Sequence, residues 1–395
     1  MILRLAVRSL MAFSPILVEA PIALGAAASS IQPMDRNHPS QVSRPEPTRR
    51  QQRCGTSEEF ILQRPNQRIR AGVVQRPIGS LPAPVAILLP GSGYHNRDVV
   101  INGYPYFKVF SEALCRHGIA SLRLDDPGMG RSNGSKDQLT IQELMEDFKA
   151  SAEQIKSLAW ADSRRIGLIG HSEGGLFSLM LGSQIPNANF LVLMAAPARP
   201  LGELVPQQLS DTAQEQGLGA QDSAAVKSGV TTLFHDLETH PSVDDRIKIL
   251  QDFVSRIDQL KNGLLLKTFW IGLLDSGWNH RLISPWLYSH LKVTQAFIDH
   301  SIRVLPQHVL VLQGSSDSQV NPTKDARRID SIMTNAKLPH KTIFFENLDH
   351  LFGVNPAGTS IGYGRDWSEY ETTILPLVSN WIKQQPPGNA TSAPR

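Results

Sequence analysis

Apolar runs alternate with amphipathic stretches of helical period over most of the chain between residues 58 and 384. The run Val-Ala-Ile-Leu-Leu at 85–89 is continuous, which is typical of a strand buried on both faces of a parallel sheet. Strands of this kind are predicted at residues 85–89, 119–124, 165–169, 190–196, 309–313 and 341–346. Helices are predicted between and after them at residues 106–116, 140–160, 176–184, 323–334 and 372–382. The pattern predicts repeated βα units in one sheet.

Two regions depart from this alternation. Near the start, residues 59–63 and 69–76 flank a Pro-Asn turn signal, which predicts a β-hairpin. Residues 201–305 carry helical patterns, such as those at 244–260 and 286–301, with no predicted strand between them. The fold class is therefore predicted as α/β, a doubly wound and mostly parallel sheet with an inserted helical cap. The sheet domain is assigned to 58–200 and 306–384, and the cap to 201–305.

The two ends of the chain differ from its middle. Residues 1–28 combine Arg4 and Arg8 with an apolar stretch and a small-residue end, which predicts a signal peptide and a secreted or periplasmic location. Glu19 interrupts that stretch, so we expect no stable membrane span. Residues 29–57 and 385–395 are poor in large apolar residues, which predicts a disordered linker and a disordered tail.

Composition adds little that is specific. The net charge of +3 reflects arginines crowded between residues 36 and 76, and the rest shows no nucleic-acid footprint. The histidines lack metal-binding spacing, so we expect no metal and no cofactor. Cys115 lies in an apolar helical stretch, which favours a buried free thiol, and a bridge to Cys54 stays open. Nothing in the composition indicates an oligomeric state.

The candidate chemistry begins with Gly-His-Ser-Glu-Gly-Gly at residues 170–175. Ser172 follows a predicted strand and precedes a predicted helix, the context of a nucleophile elbow. Gly170 and Gly174 would let the backbone pass close to itself there. The alternative is a flexible glycine-rich turn whose serine has no chemical role.

An acid and a base follow at the ends of later predicted strands. Asp317 comes after the strand at 309–313, and His350 comes after the strand at 341–346. The order Ser, Asp, His is that of a hydrolase triad on a parallel sheet, with the histidine as general base and the aspartate orienting it. Asp349 is the alternative orienting acid, but side chains of consecutive residues usually diverge. His350 on a surface loop and Asp317 as a turn cap are the alternatives without chemistry.

Backbone donors for an oxyanion are predicted at two places. The residue after the nucleophile, Glu173, supplies one N–H, and Ser92 supplies another from the loop after the strand at 85–89. Gly91 and Gly93 would support that loop. A plain tight turn or a phosphate loop is the alternative, although the full glycine spacing of a phosphate loop is missing.

These motifs resemble the α/β-hydrolase superfamily, in particular bacterial serine carboxylesterases that pair a Gly-Ser-Gly oxyanion loop with a Gly-His-Ser-Glu-Gly-Gly elbow. The resemblance rests on residues 91–93, 96–98, 125–132, 170–175, 195–201, 203, 317 and 350–352. It implies carboxylesterase activity and the triad Ser172, Asp317 and His350. Pro90, where many relatives have histidine, and the length of the cap are departures that leave the substrate open.

The leading hypothesis is therefore a serine hydrolase that cleaves small-molecule esters of small or medium acyl groups through an acyl-enzyme on Ser172. A serine peptidase or lysophospholipase is the alternative, because the fold does not determine the substrate. Glu173 and Arg97 would then supply a charged pocket. A non-catalytic binding protein is a further alternative. Aromatic residues of the cap would either form the pocket's upper wall or pack cap against core. They are Phe269, Trp270, Trp278 and Trp286.

Overall fold

A computed structural model describes residues 54–79, 82–185, 188–259, 264–274, 279–305 and 307–388. The predicted signal peptide, most of the linker, the end of the tail and Trp278 lie outside these residues. Eight strands form one sheet, and two short strands of two residues each, β4 and β5, form a separate pair. The strands are β1 Cys54–Gln63, β2 Ile69–Pro77, β3 Ala83–Leu89, β4 Val100–Ile101, β5 Tyr104–Pro105, β6 Ala120–Leu124, β7 Ala161–His171, β8 Ala188–Met194, β9 His308–Gly314 and β10 His340–Phe345.

The strand order in the sheet is β1-β2-β6-β3-β7-β8-β9-β10. The hairpin β1–β2 is antiparallel and joins β6 antiparallel, whereas every pair from β6 through β10 is parallel. The carboxyl ends of the central strands β3, β7, β8 and β9 consequently meet along one edge of the sheet. Loops after these strands are where such sheets bind ligands.

Helices connect the strands and cover both faces of the sheet. They are α1 Tyr106–Arg116, α2 Ile141–Lys156, α3 Glu173–Gly182, α4 Leu201–Glu215, α5 Ala220–Thr239, α6 Val243–Asp258, α7 Leu264–Leu273, α8 Asn279–Leu282, α9 Pro285–Leu291, α10 Gln295–Arg303, α11 Arg327–Asn335 and α12 Leu375–Gln384. Pro322–Ala326 and Tyr370–Ile374 form wider π-type turns that lead into α11 and α12. Among the described residues, no helix is both long and apolar enough for a membrane crossing.

Two separate apolar cores lie against the two faces of the sheet. Alternate residues of β3 point to opposite faces, so Ile87 belongs to one core and Leu88 to the other. The first core contains Phe148 of α2 and most of the buried residues of the helices between β8 and β9. The second contains Phe110 of α1 and Val378 of α12. Coverage on both faces explains why the central strands are apolar throughout, and it confirms the predicted doubly wound fold.

Helices α4 to α10 separate β8 from β9, and we call residues 201–303 the helical insertion. The helical pattern at 286–301 is divided between two helices, α9 and α10, with a break between them. Thr294 caps α10 by accepting a hydrogen bond from the Phe297 N–H, and Ser284 caps α9 in the same way through Leu287. Each cap starts a new helix, so the apolar spacing continues across two helix axes.

The N-terminal strand also begins earlier than the sequence predicts. Cys54 is paired with Pro77 in the β1–β2 hairpin and forms a disulfide with Cys115 of α1. The expectation of a free thiol at Cys115 is therefore wrong. The disulfide depends on tertiary packing. Cys115 is buried in apolar surroundings, as predicted, but the hairpin brings Cys54 against it. The covalent link ties β1 to the helix that covers the sheet.

Candidate active site

Ser172 lies in a strained turn between β7 and α3. Its backbone φ is +54°, a conformation that is uncommon for residues with a side chain and that occurs at functional sites. The neighbouring glycine positions have no room for a Cβ atom. A Cβ on Gly170 would lie 2.1 Å from the carbonyl oxygen of Gly174, and one on Gly174 would lie 2.1 Å from that of Leu89. The sequence therefore folds into the tight elbow that its glycines predict.

His350 and Asp317 meet at the carboxyl ends of β9 and β10. The His350 Nδ1–H donates to Asp317 Oδ2 over 2.9 Å, and both side chains are buried. The Asp317 carboxylate also accepts from Gln313 Nε2 at 2.8 Å and from the backbone N–H groups of Gln319 and Val320 at 2.9 Å. Four donors thus fix the position of the carboxylate, and the hydrogen bond from Nδ1 leaves Nε2 of His350 as the acceptor nitrogen.

Asp349 has a different environment, although it precedes His350 directly. Its carboxylate accepts hydrogen bonds from the N–H groups of Leu351 and Gly353 at 2.9 and 3.0 Å. Burial raises the pKa of Asp349 to about 6, against the lowering effect of these bonds. Asp349 therefore stabilises the loop that carries His350, whereas the imidazole itself is hydrogen-bonded to Asp317.

His171 contacts the His350 loop, a contact that the sequence analysis missed. Its Nε2–H donates to the backbone oxygen of His350 over 2.9 Å, and the two rings lie 4.9 Å apart. Burial, reinforced by the nearby His350, lowers the pKa of His171 to about 3, so the ring is neutral. On the other side of His350, the Tyr363 ring stacks 6.3 Å away and its hydroxyl bonds to Ser318. No sequence spacing reports these contacts, because they join residues far apart in the chain.

The loop after β3 approaches the elbow closely. A Cβ on Gly91 would lie 3.2 Å from Cβ of Ser172, so the glycine lets this loop contact the serine. Ser92 follows it, and its carbonyl oxygen is bonded to Nε2 of His95 at 2.9 Å. Glu173 is the first residue of α3, so its N–H has no partner within the helix. The structure thus brings Ser92 and Glu173, the two residues predicted to supply oxyanion donors, into the same cavity as Ser172.

One cavity contains the residues that the sequence analysis singled out. Ser92, Ser172, Glu173 and His350 all line it. The opposite wall belongs to the helical insertion, and its side chains are mostly apolar. They are Leu201, Leu204, Val205, Gln208, Phe234, Arg281, Leu282, Trp286, Leu287 and His290. Of the aromatic residues singled out from the sequence, Trp286 lines this cavity, whereas Phe269 and Trp270 pack against each other and Trp270 also packs against Phe253.

The cavity wall also contains a buried charged group. The Glu173 carboxylate lies 3.6 Å from Nζ of Lys136, and Lys136 lies 3.4 Å from Asp126. Burial raises the pKa of Glu173, and Lys136 opposes that shift. Arg97, the second charged residue considered from the sequence, instead pairs with Asp125 and Glu59 and is absent from the cavity lining.

The sheet order, the helices on both faces and the insertion after β8 define the α/β-hydrolase fold. Solved structures agree with this assignment. An esterase of Pyrococcus furiosus superposes with a TM-score of 0.50 over 84% of this chain and 90% of its own, at 13% identity. The structure of DcsB in complex with its substrate analogue gives a TM-score of 0.51 over 84% of this chain and 99% of its own, at 16% identity. At these identities the likeness concerns the fold.

Sequence comparison identifies relatives of the central segment. The family described as serine aminopeptidase, S33 matches residues 103–248, a segment that includes Ser172 but neither Asp317 nor His350. The esterase EstD of Thermotoga maritima is 29% identical over 138 residues, which is 35% of this chain and 33% of EstD. The chain thus spans about a third of the length of this curated relative. These similarities support a hydrolase or esterase of this fold.

Proposed function

We propose that the protein is a serine hydrolase that cleaves carboxylic esters through an acyl-enzyme on Ser172. The observation that carries the proposal is a single cavity that contains a strained serine and a histidine bonded to a buried aspartate. The esterase relatives support the same reaction class. Ester bonds of small or medium acyl groups suit the mostly apolar insertion wall.

In the first half-reaction, Oγ of Ser172 attacks the ester carbonyl carbon while its proton moves to Nε2 of His350. Asp317 holds the tautomer in which Nε2 accepts and then stabilises the imidazolium. The carbonyl oxygen becomes an oxyanion and accepts hydrogen bonds from the N–H groups of Ser92 and Glu173. Collapse breaks the bond to the alcohol oxygen, which leaves with the proton from His350.

In the second half-reaction, water replaces the alcohol. His350 takes one proton from the water as its oxygen attacks the acyl carbon, and the same two N–H groups bind the second oxyanion. Collapse breaks the bond to Oγ, and the proton on His350 returns to Ser172. The carboxylic acid leaves, and the site is restored without any net change in the protein.

A fluorophosphonate probe tests this proposal directly, because it labels an activated serine. We expect stoichiometric labelling of the purified protein and its loss in Ser172→Ala. Ser178 of α3 is a matched control, since its hydroxyl is buried and donates to the Gly174 carbonyl oxygen. Ser178→Ala should still be labelled. Labelling that persists in Ser172→Ala would contradict the proposal.

A serine peptidase is the second candidate. The S33 description of the matched family and the buried Glu173 in the cavity favour it. Ester and amide cleavage share the same machinery, so bond preference must be measured. We expect acyl p-nitrophenyl esters to be hydrolysed much faster than dipeptide anilides. Turnover of the anilides without turnover of the esters would reverse this ranking.

We also propose that the protein is exported, to the periplasm or the medium. The disulfide between Cys54 and Cys115 supports this location, because such bonds form and persist in oxidising compartments. Residues 1–28 have the signal-peptide pattern described above. Cell fractionation, with thiol labelling before and after reduction, should recover the protein outside the cytoplasm with both cysteines protected. Recovery in the cytoplasm with free thiols would contradict this proposal.

A further inference from the structure

The carboxylate of Glu173 has no hydrogen-bond donor in the cavity. Glu173 is only 4% exposed, yet neither of its side-chain oxygens has a hydrogen-bond partner among the residues that the structure describes. Its nearest charged neighbour, Nζ of Lys136, is 3.6 Å from Oε2 and itself donates to the Gly93 carbonyl oxygen at 2.8 Å. Buried carboxylates are normally hydrogen-bonded, so an acceptor pair in this position is suited to a donor from a ligand.

Two side chains of α9 meet Glu173 from the helical insertion. Nε2 of His290 is 3.6 Å from Oε1 of Glu173, and the His290 ring stacks on Trp286 at 5.3 Å. Within the described part of the chain, both His290 nitrogens and Nε1 of Trp286 are buried without a hydrogen-bond partner. Burial lowers the pKa of His290 to about 3, so one ring nitrogen is a neutral acceptor. This cluster therefore offers two carboxylate oxygens and one imidazole nitrogen as acceptors, beside one N–H donor each from His290 and Trp286.

The charges of the buried cluster select among ligands. With both carboxyl groups ionised, Asp126 and Glu173 contribute two negative charges and Lys136 contributes one positive charge, and all three are at most 5% exposed. Arg281, which also lowers the pKa of Glu173, pairs with Asp137 at 3.8 Å, so these two opposite charges offset each other. A protonated amine would balance the remaining charge and supply three N–H donors. A phosphate or carboxylate would instead be repelled by Glu173, and a neutral hydroxyl would leave the charge unbalanced.

We propose that Glu173 and His290 bind a protonated amine on the carbon next to the scissile carbonyl, so that the favoured substrates are esters of α-amino acids. This inference rests on the proposed function. Ser172 and Glu173 line the same cavity, so an acyl group attached to Ser172 would share that space with the Glu173 carboxylate. The substituent of the acyl α-carbon is the part of the substrate closest to that carbonyl.

Three benzyl esters of matched shape test the proposal. In L-alanine, lactic acid and isobutyric acid benzyl esters, the substituent is an ammonium, a hydroxyl or a methyl group. We expect kcat/KM at pH 7 to be at least about tenfold higher for the alanine ester than for the isobutyrate ester, with the lactate ester between them, because charge-assisted hydrogen bonds are the stronger ones. Benzyl alcohol release, measured by chromatography, reports all three reactions on one scale.

Variants connect the preference to the cluster. Glu173→Gln should reduce the ratio of kcat/KM for the alanine ester to that for the isobutyrate ester about tenfold or more. An effect of the variant on the oxyanion N–H would change both rates equally and would cancel in this ratio. Glu146→Gln, on the exposed face of α2, is the matched control and should keep the wild-type ratio. His290→Phe keeps an aromatic ring against Trp286 and should reduce the ratio less, which provides a second variant if Glu173→Gln does not fold.

Two results would overturn the inference. Equal kcat/KM for the three esters would do so, as would an alanine preference unchanged in both Glu173→Gln and His290→Phe. A preference for lactate over alanine would assign the cluster to neutral hydroxyl donors instead. Failure of the proposed function looks different, because none of the three esters would then be hydrolysed in a manner that depends on Ser172.

Discussion

Apart from Glu173, whose carboxylate has no hydrogen-bond partner among the described residues, the two walls of the cavity differ in how their polar groups are satisfied. On the strand-end wall, Asp317 accepts four hydrogen bonds, and His350 is bonded through both its ring and its backbone oxygen. On the insertion wall, His290 and Trp286 are just as buried but leave their ring nitrogens without hydrogen-bond partners. Both walls surround the same cavity.

This difference separates two physical tasks. Groups that act in every turnover must be held in one geometry before the substrate arrives, since reorganisation at the moment of reaction is costly. Groups that determine substrate specificity gain their hydrogen-bond partners from the substrate. A substrate that lacks the matching group leaves these buried atoms unpaired and is therefore disfavoured. We therefore expect changes on the strand-end wall to affect rate or folding, and changes on the insertion wall to affect selection with little loss of stability.

Asp317→Asn should have the largest effect on the proposed reaction. The asparagine can present an N–H to Nδ1 of His350, which favours the wrong tautomer and leaves no acceptor nitrogen for Ser172. We expect kcat/KM for an acyl ester to fall about 10³- to 10⁴-fold. Steady-state hydrolysis measures this, with circular dichroism to check the fold.

Asp349→Asn is the matched control for that variant, because Asp349 is equally buried but bonds to backbone N–H groups of its own loop. An asparagine oxygen can still accept these bonds. Activity should fall about tenfold or less, through a slight shift of His350. If both variants lose activity equally, the assignment of Asp317 as the orienting acid is wrong.

Adding one methyl group at Gly174 should prevent stable folding. The new Cβ would lie 2.1 Å from the Leu89 carbonyl oxygen, a backbone atom that cannot move aside. We expect Gly174→Ala to lose at least about 3 kcal/mol of stability or to be insoluble, since overpacking beyond a well-packed contact is costly. Chemical denaturation of the soluble fraction measures the loss.

Gly202→Ala, in α4 of the insertion, should have the opposite sign. Its nearest atom would be 3.9 Å from the new Cβ, and alanine favours the helix over glycine by about 0.5–1 kcal/mol. A stabilising Gly202→Ala beside a disabling Gly174→Ala would sharpen the contrast between the two walls. Equal destabilisation would remove it.

Much of the fold could be predicted because its signals are local. Helix α1 has the predicted bounds, and α2 begins with a capping box in which Thr140 and Glu143 exchange hydrogen bonds. The apolar strands follow from burial on both faces of the sheet. The meeting of Asp317 and His350 was predictable from topology, because both follow neighbouring parallel strands. Their chemical roles stay predictions.

Other features depend on how distant segments dock. The bond from His171 to the His350 backbone spans 179 residues, and nothing in the Gly-His-Ser segment signals it. The disulfide requires the hairpin to bring Cys54 to α1. Likewise, the meeting of Glu173 with His290 is created by the packing of the insertion over the elbow. Local patterns report burial and period but not which buried surfaces meet.

The two buried histidines provide the finest test of the contrast. Both imidazole rings are neutral, but the ring of His171 donates a hydrogen bond whereas that of His290 has no hydrogen-bond partner among the described residues. His171→Phe removes the donor to the His350 oxygen and should cost about 1–3 kcal/mol at pH 7.5. His290→Phe removes two unpartnered nitrogens, keeps the stack on Trp286, and should be neutral or stabilising by about 1 kcal/mol. Denaturant unfolding of both variants measures the difference. Equal destabilisation would mean that the insertion wall is as fully partnered as the strand ends.

The stability of the same two variants should change with pH in the same way. This distinguishes the effect of burial, which both histidines share, from the effect of hydrogen bonding, in which they differ. Burial lowers the pKa of each histidine from 6.5 to about 3, so the unfolded chain binds protons below pH 6.5 that the folded protein excludes. Stability from this source is complete above pH 6.5 and is lost as the pH falls toward 3. Each phenylalanine removes one such loss, so each variant should gain about 2 kcal/mol relative to wild type between pH 7.5 and pH 5. A gain in only one variant would show that the other histidine is protonated in the folded state, and for His290 that would turn the proposed amine acceptor into a donor.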